Sequence, residues 1–155
     1  VQEMSFDFAG LVQTSLNMGT LAMKEDGVHF SYSVRSCIAS QKKDLLRRVS
    51  AIVTSGGGTV EINGDYPGWQ FRKESAFRDV ILQSYKNVTS EDGRIEATHG
   101  GLECGLFIEK IPGLDAVSMG PELHDVHSAK ERLSVASTQR TYEVVCEALK
   151  NSCTQ

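Results

Sequence analysis

The chain has no apolar run long enough to cross a membrane as a helix. Such a span needs roughly 18 to 20 residues, and the longest apolar stretch, around Leu102–Ile111, is broken by Glu103 and Glu109. It also has no excess of basic charge: Lys and Arg number 16 against 20 Asp and Glu, a net charge of −4. A nucleic-acid surface needs clustered cations. The one dense group, Lys42, Lys43, Arg47 and Arg48, falls on a predicted helix and reads as a solvated face. Neither a basic n-region nor an apolar h-region follows Val1, so no secretory leader is expected. The missing initiator Met suggests a piece of something longer.

Cysteine is sparse too. The four, at positions 37, 104, 146 and 153, form no Cys-x-x-Cys pair and no zinc-knuckle spacing. A disulfide scaffold of this size would be denser, so buried or idle thiols in a reducing cytosol are expected. There is no internal repeat and no low-complexity tract. What remains is a 155-residue chain, 40% hydrophobic and 23% charged, the size of one ordinary domain or two small ones.

Val28, Phe30, Tyr32 and Val34 alternate with His29, Ser31 and Ser33, the period of a half-buried strand. Asp26-Gly27 precedes them as a tight-turn signal, and Leu11–Met23 is the predicted partner strand. Arg35 continues the polar row. Ser40 is the expected cap of a helix with Leu45, Leu46, Val49, Ile52 and Val53 at helical spacing. Gly56-Gly57-Gly58 ends it and a strand is expected over Thr59–Ile62. This β-β-α-β unit reads as an α+β half-domain whose sheet edges want a further strand.

Gly64-Asp65-Tyr66-Pro67-Gly68-Trp69 is the best boundary in the chain, dividing residues 1–65 from 66–155. Beyond it a helix capped by Ser75 carries Phe77, Val80, Ile81 and Tyr85. A strand over Arg94–Thr98, a short helix over Gly101–Ile108 and an apolar strand over Leu114–Met119 follow. A last helix capped by Ser137 is expected to bury Tyr142, Val145, Cys146 and Leu149. This half suggests part of a helix-covered α/β sheet, with too few strands to be complete.

Three places hold residues that suit chemistry. Thr98-His99-Gly100-Gly101-Leu102-Glu103-Cys104-Gly105 runs from strand end to helix start, where backbone amides favour an anion, or else it is only a tight turn. Gly120-Pro121-Glu122-Leu123-His124-Asp125-Val126-His127-Ser128 places two imidazoles beside carboxylates, as a metal site or a surface loop would. Arg35 has the planar fork that holds a carboxylate, or it makes a surface ion pair, and His29 in the same row reads alike.

Thr14-Ser15-Leu16-Asn17-Met18-Gly19, Gly64-Asp65-Tyr66-Pro67-Gly68-Trp69 and His99-Gly100-Gly101-Leu102-Glu103-Cys104-Gly105-Leu106-Phe107 together resemble the aminoacyl-histidine (Xaa-His) dipeptidases. These are peptidase D enzymes of the carnosinase-like co-catalytic zinc exopeptidases. Val34-Arg35-Ser36, Ser118-Met119-Gly120-Pro121, and His127-Ser128 with Glu131-Arg132 following fit the same pattern, which runs in order from about Thr14 to Asn151.

The resemblance implies an α/β protein: residues 1–65 as the carboxyl-terminal part of an α+β lid or dimerisation domain, and residues 66–155 as the last segment of a helix-covered α/β catalytic domain. In the intact cytoplasmic enzyme, water activated by two zinc ions loses a proton to a glutamate and attacks the peptide carbonyl. The resemblance makes His127 a ligand of one zinc, makes Arg35 the lid arginine that holds the dipeptide carboxylate, and places His99, Gly100, Gly101 and Glu103 on the cleft wall. Binding of the substrate amino group by Glu103 is a further hypothesis. No catalytic residue falls in this stretch. The family's His-x-Asp element, bridging aspartate and Glu-Glu pair are missing, so the chain alone is expected to be inactive and to bind no zinc tightly. Ala129-Lys130 departs from the family's Pro and acidic residue, and His124 is read as loop. The expected partners are a dipeptide and a second copy met through exposed sheet edges, with no nucleic acid or membrane. A non-catalytic binding or dimerisation module is the alternative, and an aminoacylase-like or carboxypeptidase-like hydrolase ranks behind it.

Overall fold

Strict alternation of apolar and polar residues gives a long antiparallel hairpin. In a computed structural model describing residues 1–152, β1 (Glu3–Met4), β2 (Val12–Lys24) and β3 (Gly27–Ser36) form a sheet of that order. The β2–β3 register runs from Thr14 opposite Ser36 to Lys24 opposite Gly27, with Gly19 as the extra residue where it shifts. The hairpin turns one residue earlier than Asp26-Gly27 predicts, through Glu25-Asp26, and Gly27, at φ 139°, is the first residue of β3, paired with Lys24. β1 supplies the further strand on one edge.

The helix α1 (Ala39–Ser55) follows. Ser40 is not its cap. Ile38 holds that position without a side-chain cap, and Ser36 from the strand end accepts the Ile38 N–H at 3.1 Å. Gln41 reaches the sheet: its side-chain oxygen accepts from Thr14 Oγ1 at 2.6 Å and Gln13 Nε2 at 3.0 Å, and Thr14 bonds Ser36 at 2.8 Å. Thr14 and Ser36 share a row with Leu16, Met18, Tyr32 and Val34, so α1 packs on the apolar face at the base of the hairpin. Toward the tip, Met18, Leu21, Met23, Val28, Phe30 and Tyr32 stay exposed, with the Phe30 and Tyr32 rings stacked at 6.3 Å. Leu45 is the buried anchor of α1, whereas Ile52, expected on its inner face, is exposed. The glycine triplet ends the helix as predicted, through Gly57 at φ 80°.

The chain resolves into two compact units, Val1–Phe71 with Glu96–Pro112, and Arg72–Ile95 with the chain from Gly113 on. The first also holds α3 (Glu103–Lys110). In the second, α2 (Ala76–Thr89) is capped by Ser75, whose hydroxyl accepts from Arg78 N at 3.1 Å. β4 (Leu123–His124) and β5 (Arg132–Leu133) make a small hairpin before α4 (Val135–Ser152).

The helix pair α2–α4 meets through small residues: Ser84, Val144 and Ala148 are buried, and Asn151 Nδ2 donates to Ser84 Oγ at 3.1 Å. The face expected to be buried is the other one, since Tyr142, Val145 and Leu149 are exposed. Ser137 lies inside the helix, and its N–H points to Ser134 Oγ at 3.3 Å, so Ser134 takes the capping role. The strands expected over Thr59–Ile62, Arg94–Thr98 and Leu114–Met119 are not formed: these segments join no ladder among the described residues, and a strand exists only where a neighbour accepts its hydrogen bonds. The mixed α/β class stands. Leu45, Val144 and Ala148 are the only buried hydrophobic residues among those described. The chain exposes 11392 Å² for 17.0 kDa. A compact monomer of that mass exposes about 7,700 Å², and even two separate compact halves expose about 9,300 Å².

Candidate functional site

In the first unit the Asp65–Gly68 stretch lies against both the strand end that follows Arg35 and the loop that opens α3. Glycine makes these approaches possible. A Cβ on Gly68 would come 2.7 Å from the Cys37 carbonyl oxygen and 2.8 Å from that of Ser36. One on Gly101 would come 2.2 Å from Tyr66 Cδ1, and one on Gly105 would stand 3.0 Å from the Pro67 oxygen. Lys42 pins the stretch. Its ammonium donates to Asp65 Oδ1 at 2.5 Å and to the Tyr66 carbonyl at 2.6 Å, with the side chain only 11% exposed. Arg47 and Arg48 both pair with Asp44, so three of the four cations in that group are engaged with carboxylates.

Arg35 stands opposite Ser15, in one row with His29, Ser31 and Ser33. It is exposed, and its guanidinium has no hydrogen bond or ion pair among the described residues. His29 takes the bland role, bonding Asp26 Oδ1 at 2.9 Å. His99 is half-buried. The Gly100 N–H donates to Thr98 Oγ1 at 3.1 Å, so that amide is already engaged, and Gly101 lies beneath the Tyr66 ring. Glu103 is exposed on the first turn of α3, where a carboxylate suits the helix dipole.

Tyr66 carries no chemical signal of its own in the sequence. Partial burial, then the neighbouring Glu103 and Cys104, push its phenol above the ordinary tyrosine value. The only local signal was the glycine at 101, whose missing side chain leaves room for the ring. Cys37, Cys104 and Cys146 are free thiols, and burial raises that of Cys37. Cys153 lies outside the described residues.

In the second unit His127 occupies the loop between β4 and β5 with a left-handed backbone, φ 63°. Its imidazole is exposed and unbonded among the described residues, and its N–H donates to Glu131 Oε2 at 2.8 Å. His124, read as loop from the sequence, lies instead in β4, where it pairs with Arg132. One imidazole is one donor. Among the described residues no group of three or more His, Cys, Asp or Glu is placed to hold a metal ion, so these residues do not build a metal site by themselves.

Comparison with known proteins points one way. The cytosol non-specific dipeptidase of Escherichia coli (strain K12) is 33% identical over 141 residues, which are 91% of this chain and 29% of that protein. The crystal structure of aminoacylhistidine dipeptidase from Vibrio alginolyticus matches with a TM-score of 0.82 at 31% identity, over 98% of this chain and 31% of that one. The chain thus spans less than a third of the length of either relative. No protein-family model matches. The motif resemblance is borne out: the chain is homologous to a segment of these dipeptidases.

Proposed function

We propose that this chain, homologous to a segment of the dipeptidases, is the carboxyl-terminal part of a cytoplasmic zinc-dependent dipeptidase that hydrolyses Xaa-His and other dipeptides. The observation that carries the reading is the 33% identity sustained over 91% of the chain against only 29% of the relative. The thin core and the surplus of exposed surface support it, since a self-sufficient domain of this mass buries more. In this reading residues 1–65 close the lid and residues 66–155 complete the catalytic domain. His127 supplies one donor to a pair of zinc ions whose other ligands come from outside the chain. Arg35 takes the dipeptide carboxylate, and Glu103 with the His99–Gly101 loop walls the cleft. The zinc would supply an activated water.

Alone, the chain is inactive. Adding zinc and a dipeptide such as glycyl-histidine to the purified chain should give no turnover, and robust hydrolysis would refute the incompleteness of the site. In the intact enzyme, His127→Ala should lower bound zinc and Glu103→Gln should weaken dipeptide binding. Unchanged affinity in the second variant would remove the role given to Glu103. The non-catalytic module is the second reading, and the apolar hairpin tip favours it: Phe30 and Leu21 are 53% and 55% exposed, as a surface for a second copy would be. A coding sequence that starts at Val1 would support it over the peptidase.

A further inference from the structure

The hairpin that carries His127 is closed by a ladder, an ion pair and hydrogen bonds within its loop. Leu123 and His124 pair with Leu133 and Arg132, and Ser134 N donates to the Glu122 carbonyl at 3.0 Å just below. An Arg132–Asp125 ion pair closes the base. Inside, the Ser128 hydroxyl donates to the Asp125 carbonyl at 2.7 Å and accepts from Lys130 N at 3.1 Å, while Glu131 N donates to the Ser128 carbonyl at 3.1 Å.

These bonds enclose two left-handed residues, Asp125 at φ 52° and His127 at φ 63°. Such backbone is uncommon outside glycine and persists where the surroundings over-determine it. Among the described residues one side-chain bond ends on His127 itself, the Glu131 carboxylate on its N–H at 2.8 Å. That bond is charge-assisted, and the imidazole beyond it is left open. The loop therefore restrains the backbone of a residue whose side chain has no partner within it. Ala129 and Lys130 stand where the resembled family has a proline and an acidic residue, so the restraint does not come from a stiff backbone at those positions.

We infer that Glu131 is a positioning residue for His127: by holding its N–H, the carboxylate fixes the left-handed backbone and with it the direction in which the imidazole leaves the loop. This rests on the reading of His127 as a functional histidine, and it adds a residue that acts through another.

The test uses the ¹⁵N-labelled full chain. The wild-type His127 amide should resonate downfield, exchange slowly and show the three-bond coupling of a left-handed residue. In Glu131→Ala its exchange should rise about tenfold, the loss of one charge-assisted bond, and its three-bond amide coupling should move from the left-handed value toward that of an averaged backbone. Glu131→Gln, which keeps an acceptor oxygen, should recover most of the coupling. The Ser134 amide should stay protected in both. Unchanged His127 couplings in Glu131→Ala would overturn the inference. So would loss of Ser134 protection without recovery in Glu131→Gln, because Glu131 would then brace the hairpin and not the histidine. If His127 is released in Glu131→Ala while His127→Ala leaves the zinc content of the intact enzyme unchanged, the metal reading fails and the positioning role stands.

Discussion

Replacing Gly68 by Ala places a methyl group 2.7 Å from the Cys37 oxygen, 2.8 Å from the Cys37 carbonyl carbon and 2.8 Å from the Ser36 oxygen. Ordinary contact needs about 3.4 Å or more, as for other carbon-oxygen pairs. All three obstacles are backbone, so no rotamer relieves them. The strand end after Arg35 and the Pro67–Trp69 stretch must separate, against the Lys42 bonds to Asp65 and Tyr66. Overpacking of this kind costs about 1–3 kcal/mol, and here the upper part of the range applies. The internal control is Gly100→Ala, where the nearest atom is Thr98 Oγ1 at 3.4 Å. It should change stability by less than about 0.5 kcal/mol, or stabilise slightly through the unfolded chain. Gly101→Ala falls between, because its obstacle is a ring that Tyr66→Ala removes, so the double variant should cost less than the two singles combined. Urea unfolding followed by the fluorescence of Trp69, the sole tryptophan, ranks the series. If Gly68→Ala unfolds at the same urea concentration as Gly100→Ala, the crossing at residues 65–68 is not as described.

Burial pushes the Asp115 carboxyl up, but the Ser75 hydroxyl, the Phe77 N–H and the Arg72 and Arg78 guanidiniums outweigh it and leave its pKa below the ordinary value. A folded pKa below the unfolded one of about 3.9 means that the stabilisation is complete above that pH and lost as pH falls through the folded value. Asp115→Ala should therefore cost about 1 kcal/mol near neutral pH, as the loss of a helix-start acceptor does, and should flatten the acid limb of the unfolding curve; an unaltered limb would refute this. Lys42→Met should destabilise by about 1.5–3 kcal/mol, the worth of a hydrogen bond to a charged group, read by the same fluorescence. Self-association of the chain should show in sedimentation and diminish in Leu21→Ser with Phe30→Ser, and a monodisperse wild-type monomer would count against it.

Where sequence and structure agree, the signal was local. The hairpin follows from alternation and a two-residue turn, and α2 from Ser75 three residues before the amide it caps. The crossing at Tyr66, Gly68 and Gly101 was not legible, because it joins residues more than thirty positions apart and its only trace is the absence of a side chain. For the candidate site, motif likeness singled out Arg35 and His127. The Glu131 bond that fixes His127 could be suspected only from its spacing of four.

The misread face of α4 carries the most physical content. Tyr142, Val145 and Leu149 form the more apolar stripe, yet Val144 and Ala148 are the residues that pack on α2. Hydrophobic spacing records that a face is buried somewhere, not by which partner. Small side chains let α2 and α4 approach closely, and the larger stripe is left in water together with the hairpin tip. Large apolar residues placed on one face of a helix and one face of a sheet are not maintained for contact with solvent. Among the described residues nothing covers either face, so the apolar spacing of α4 and of the hairpin tip is not explained by the packing seen within the two units.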